Sequence, residues 1–313
     1  MIKYLFFILI TLLSGCTTDF SGLEKPEESV YIRFSSRANV QVGVDVSTRS
    51  SAEQPVGILG IGTQEKDTLS TTLVGCDTAS LRKWMKNDMY LYSPYSGQIN
   101  HAEGYTPTFP IDPRSAVVAY AYMPYSDSVV YDEEDCYIPI DLMADGALTD
   151  WMYSGKTIKS KADYLVDRTF AFKFEHAMTR LDLVLDPTMT KINKKVEIVK
   201  LSLGIKDYGK GRLSLLDGKA TKEVSSNEDA STHCVQRELN SMFLYGASVL
   251  DTVRFYLLPC TEIDTLRFVG VWNETDTITY ESCIADSLNK WVSDKLEAGK
   301  SSVINLRFRK EKQ

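Results

Sequence analysis

Apolar and polar residues alternate with a period of two along most of the chain. Val30, Ile32 and Phe34 share one face of an extended segment, with Tyr31 and Arg33 on the other, as in a half-buried strand. Val40, Val42, Val44 and Val46 repeat the pattern, as do Phe170, Phe172 and Phe174, then Leu181, Leu183 and Leu185, then Ile304, Leu306 and Phe308. Val117 to Tyr122 is continuously apolar and predicts a strand covered on both faces. Turn-rich pieces separate these runs, among them Ser93 to Gly97, Asp112-Pro113 and Leu216 to Lys219. Lys210-Gly211-Arg212 reads as a further hairpin turn rather than a phosphate cradle. One short helical stripe stands out, at Leu288, Trp291, Val292 and Leu296. These patterns predict an all-β protein of two tandem β-sandwiches, spanning residues 30–165 and 166–313, with the boundary near Ser160 to Asp167.

The first residues follow a different rule. Met1-Ile2-Lys3 is basic, and Tyr4 to Leu13 is apolar but too short to span about 30 Å of hydrocarbon as a helix. It reads as the core of a signal peptide covering residues 1–15. Leu13-Ser14-Gly15-Cys16 has the form of a lipobox, where lipoprotein signal peptidase cuts and the Cys16 thiol carries the lipid. More than one acyl chain, palmitate-like in length, makes such anchoring stable. The competing reading is an ordinary secretory signal with an incidental cysteine. Residues 16–29, with Glu24, Pro26, Glu27 and Glu28, form a polar tether. No later segment has transmembrane length.

Composition narrows the chemistry. Hydrophobic residues make up 43% and charged residues 25%, values of a globular protein, and the net charge of −7 without a basic cluster argues against nucleic acid. Besides Cys16 there are Cys76, Cys136, Cys234, Cys260 and Cys283, in no zinc spacing, and an odd number leaves at least one unbridged. His101, His176 and His233 stand singly. His176 continues the Phe170/Phe172/Phe174 stripe and reads as a core-facing histidine held by a hydrogen bond. The acidic run Asp132 to Asp135 lacks the spaced ligands of a calcium loop and reads as a solvated loop. No nucleophile elbow, phosphate loop or dinucleotide fingerprint occurs. No catalytic, cofactor or metal residue is assigned. Asp-Thr/Ser-apolar triplets recur, as at Asp67, Asp77, Asp127, Asp251, Asp264, Asp276 and Asp286. They suit O-glycosylation of Bacteroidetes-type secreted proteins, but turn ends and strand starts generate the same triplets.

Taken together, several segments resemble the fimbrillin family of type V pili. They are the lipobox, Val46 to Ser50 with Val56 to Ile61, Tyr92-Ser93-Pro94, Val117 to Tyr125, Asp150 to Tyr153, Phe172 to Leu181, Leu257-Leu258-Pro259, and Leu296 to Ser301. Phe174-x-His176-Ala177-x-x-x-Leu181 is the most specific of them. The resemblance implies transthyretin-like sandwiches, export as a lipoprotein to the outer membrane and cell surface, and assembly with other subunits by donor-strand exchange. It implies a protease cut after an arginine that removes the first strand. Arg49, before Ser50, is the matching position, with Arg37 the less favoured one. The polar tail Arg309 to Gln313 carries no apolar alternation to donate, which favours a tip or accessory adhesin contacting a host or cell-surface receptor over a shaft repeat. The alternatives are a non-polymerising surface lipoprotein that binds a glycan or other ligand, and, more distantly, a hydrolase on a β-sandwich.

Overall fold

The computed structural model describes residues 30–36, 52–74, 85–104, 106–186, 196–205, 209–223, 233–243, 251–272, 276–283 and 296–307. In chain order they form β1 (Phe34–Ser36), β2 (Gln54–Gln64), β3 (Met85–Tyr92), β4 (Gln98–His101), β5 (Ser115–Met123), β6 (Val130–Tyr131), β7 (Cys136–Asp141), β8 (Met152–Ser160), β9 (Phe170–Phe172) and β10 (Glu175–His176). There follow β11 (Thr179–Asp186), β12 (Val196–Ile205), β13 (Lys210–Ser214), β14 (Ala220–Lys222), β15 (His233–Phe243), β16 (Asp251–Leu257), β17 (Ile263–Trp272), β18 (Asp276–Cys283) and β19 (Ser301–Arg307). Two short α-helices, α1 (Leu142–Asp145) and α2 (Lys161–Asp167), and a 3-10 turn at Glu65–Asp67 interrupt them. The all-β expectation holds. The valine stripe Val40 to Val46 and the helical stripe from Leu288 to Val292 lie outside the described residues; Leu296, at the end of that stripe, is fully buried.

Alternation becomes burial where the sequence predicts it. Ile32 and Phe34 are buried while Tyr31 is 59% exposed. All nine residues of β5 are buried, as its unbroken apolar run requires. This strand sits inside an eight-stranded sheet of order β10-β8-β5-β2-β3-β4-β1-β9, flanked by β2 and β8. Gly57 on β2 is needed there: a Cβ would lie 2.2 Å from the Tyr122 ring. The Tyr122 hydroxyl lies 2.7 Å from the Ser126 carbonyl oxygen and beside Asn87 Oδ1.

Three smaller sheets, β16-β11-β19, β15-β12-β17-β18 and β14-β13-β7-β6, complete a sandwich-like arrangement. Helix α2 occupies the expected boundary, capped by Ser160, whose Oγ accepts the Asp163 N–H at 3.0 Å. Beyond it, β9 and β10 still belong to the eight-stranded sheet, and β7 pairs with β13. One buried cluster includes residues from Leu59 to Leu296. The Lys210-Gly211-Arg212 turn is corrected: these residues are in β13, and the chain reverses at Leu215 to Asp217 instead. Gly211 serves close packing, since a Cβ would lie 2.4 Å from the Thr221 carbonyl oxygen.

In the sheet β16-β11-β19, Asp182 faces Arg254 directly across the strand pair. Its carboxylate accepts from Arg254 Nε at 3.0 Å and from Arg180 Nε at 2.9 Å. Burial raises the Asp182 pKa, but the hydrogen bonds and positive charges of the two guanidiniums together outweigh burial and hold it below the ordinary carboxylate range. The native carboxyl therefore ionises more readily than the unfolded one. The resulting stabilisation is complete above about pH 4 and is lost as pH falls through the lowered native pKa. Asp182→Asn is expected to cost about 2 kcal/mol at neutral pH in denaturant melts. The gap from wild type should narrow below about pH 4.

Candidate functional site

Six residues at the start of the described chain are held along both edges. On one side Ile32 N–H donates to the Pro107 carbonyl at 2.7 Å and Ser36 N–H to the Gly97 carbonyl at 2.8 Å. Tyr31 bridges Thr108, and Phe34 faces Ile99 of β4 in antiparallel register. On the other side β1 runs parallel to β9, with Phe34 opposite Phe170 and Ser36 opposite Phe172. The Phe170 N–H donates to the Arg33 carbonyl at 3.1 Å. The Arg33 amide donates to the Tyr164 hydroxyl of α2 at 2.7 Å.

Side chains lock the same segment from its inner face. The Phe34 ring meets Tyr90 edge-on at 5.4 Å and Phe170 at 5.5 Å, and stacks on Phe172 at 5.5 Å. Phe170 and Phe172 are 5.6 Å apart, and Phe172 continues to Phe174 at 6.2 Å. Burying Phe34 and Ile32 contributes about 1.5–3 kcal/mol each. Each aromatic pair adds about 0.5–1.5 kcal/mol.

The topology gives this seat its meaning. β4 and β9 do not pair with each other; β1 stands between them. Among the described strands, β1 is the neighbour of β9 in its sheet. A departing β1 would uncover two strand edges and an aromatic cage at once, a surface that another strand is suited to fill. The segment from Arg37 to Ser51 separates β1 from the residues leading into β2, and β2 pairs with β3 and β5, not with β1.

The remaining candidates are placed as follows. Cys16, Arg37, Arg49 and Ser50 lie outside the described residues. His176 Nδ1 lies 2.9 Å from Asp150 Oδ2, a held histidine, but its side chain is 30% exposed rather than core-facing. The acidic run forms the tight link between β6 and β7: Asp132 N–H donates to the Asp135 carbonyl at 2.8 Å, and Asp135 Oδ1 accepts from Ser214 Oγ at 2.8 Å. Cys136 is buried, whereas Cys234 and Cys260 are exposed. Asp251 and Asp276 open β16 and β18, as strand starts would. Among the described residues no group of three or more His, Cys, Asp and Glu could hold a metal ion. No described helix is long and apolar enough to cross a membrane.

Tyr164 does not stand out in the sequence. A signal was present in Ser160-x-x-Asp163, a helix-start pattern that fixes where the next turn points its side chains. The stretch reads instead as the domain boundary near Ser160 to Asp167.

A sequence model of the fimbrillin-like family matches residues 46–313. A comparison with curated protein sequences gives no match. Among solved structures, the chain is similar to a candidate cell adhesion protein from Bacteroides uniformis, at 17% identity and a TM-score of 0.53, covering 89% of this chain and 94% of that one. A candidate cell adhesion protein from Bacteroides ovatus matches at 16% identity and a TM-score of 0.53, covering 90% and 91%. At these identities the structures speak to the fold, and the family match speaks to membership. The chain belongs to the fimbrillin-like family, which makes it a structural, non-enzymatic protein.

Proposed function

We propose that this protein is a fimbrial subunit or a tip or accessory adhesin, exported as a lipoprotein on Cys16 and assembled by strand exchange after cleavage between Arg49 and Ser50. The observation that carries this reading is the position of β1. It fills a gap between two strands that do not pair with each other, and β1 and β2 are not neighbours in the sheet. Cutting that link would break one covalent bond and leave the ladder between β2, β3 and β5 intact.

Proteolysis alone would not empty the seat, because Ile32 and Phe34 still hold the strand. A competing strand must enter as the first one leaves, so that unpaired backbone and apolar rings are never exposed together. Main-chain hydrogen bonds would hold the newcomer and alternate side chains would fill the cage. β19 is paired along all seven of its residues with β11. This engagement favours a receiving over a donating role, in keeping with a tip or accessory position at the cell surface. The partners of such a protein are other fimbrial subunits, the bilayer through the acylated cysteine, and a surface receptor.

Treatment of the unlipidated precursor with an Arg-specific protease is expected to give one product beginning at Ser50. That product should form oligomers when a donor subunit is present, and Arg49→Ala should abolish it. A protease-resistant monomer would favour a non-polymerising ligand-binding lipoprotein. Cys16→Ser should abolish metabolic labelling with palmitate and release the protein from the membrane fraction. Phe34→Ala is expected to destabilise the precursor by about 3–5 kcal/mol in denaturant melts.

A further inference from the structure

In the seat, one backbone amide is met by a side chain instead of a strand. β9 begins at Phe170, and just before it Arg168 adopts φ 55° to close α2, giving its own N–H to the Tyr164 carbonyl at 2.7 Å. The backbone on the β9 side is therefore still leaving the helix at the level where a parallel ladder would offer a carbonyl to Arg33 N–H. Tyr164 supplies the acceptor with its hydroxyl, 2.7 Å from that nitrogen. Packing holds the side chain in place, since Tyr164 is 1% exposed and its ring lies 5.0 Å from Phe109. The Ser160 cap fixes the turn of α2 from which it projects.

Arg33 itself is exposed, but its N–H points at a side chain that is only 1% exposed. An N–H held against such a side chain without its acceptor is costly. The hydroxyl therefore makes the seat sensitive to backbone chemistry at one position of the strand, apart from the ring at the Phe34 position. We infer that Tyr164 is a specificity-determining residue of the seat: its hydroxyl holds the backbone N–H at the Arg33 position of whichever strand is seated, admitting strands with that N–H and rejecting those with proline or another N-substituted residue there. The part concerning incoming strands rests on the strand-exchange reading; the part concerning the resident strand does not.

Two measurements separate these parts. In the uncleaved, unlipidated chain, residue-resolved hydrogen exchange compares wild type with Tyr164→Phe. Exchange at Arg33 is expected to accelerate at least about tenfold, while amides of β2 and β5 keep their protection. Unchanged exchange at Arg33, or a uniform loss of protection throughout the sheet, would overturn the assignment. In the second arm, chain cleaved at Arg49 is offered a fluorescent peptide of residues 28–38, or the same peptide N-methylated at Arg33. Wild type should bind the methylated peptide at least about tenfold more weakly, and Tyr164→Phe should lose most of that discrimination. Equal binding of both peptides by wild type would overturn the proposal. Entry of neither peptide would defeat strand exchange itself, leaving the hold on the resident strand to be decided by the exchange rates.

Discussion

A strand inside a sheet must satisfy hydrogen bonds along two edges, and everything particular to this protein follows from how β1 does so. It is short, yet Tyr31 to Ser36 reaches β4, the Pro107–Thr108 segment, β9 and Tyr164. An unpaired peptide group in such a place costs more than a hydrogen bond returns when made. The seat therefore favours being filled and, where its own backbone makes the hydrogen bonds, is indifferent to which chain supplies the filling. Selectivity has to come from side chains, namely the ring cage of Tyr90, Phe170 and Phe172 around Phe34 and the hydroxyl of Tyr164.

The position of the seat within the sheet matters as much as its contacts. β5, buried along its whole length, anchors the opposite half of the eight-stranded order with β2 and β8. β1 is second from the far end, so exchange there would perturb β4 and β9 while sparing the most buried strand. On the proposed reading, stability and replaceability fall at different ends of one sheet. The Asp182–Arg254 pair, in another sheet, contributes to the fold without touching the seat.

Much of this was readable from residue types. The Val30-Ile32-Phe34 alternation marked the strand, the unbroken run from Val117 to Tyr122 marked β5, and the Phe-x-His-Ala element marked the family matched over residues 46–313. What could not be read was pairing. β1 meets β9 in parallel across most of the first half of the chain, and a period of two carries no information about which distant strand shares an edge. Lys210-Gly211-Arg212 was misread because glycine marks both turns and close approaches, and only the Thr221 carbonyl beside Gly211 decides between them. Tyr164 was missed because a seven-residue helix leaves almost no periodic signal.

The central claim is that β1 is a replaceable plug. Its most direct test is amide protection in β4 and β9 measured before cleavage at Arg49, after cleavage with the N-terminal fragment removed, and after adding back a peptide of residues 28–38. The account predicts loss of protection concentrated at Gln98–His101 and Phe170–Phe172, restored by the peptide, with β5 unaffected throughout. Protection in β4 and β9 that survives removal of the fragment, or is not regained when the peptide is returned, would contradict it.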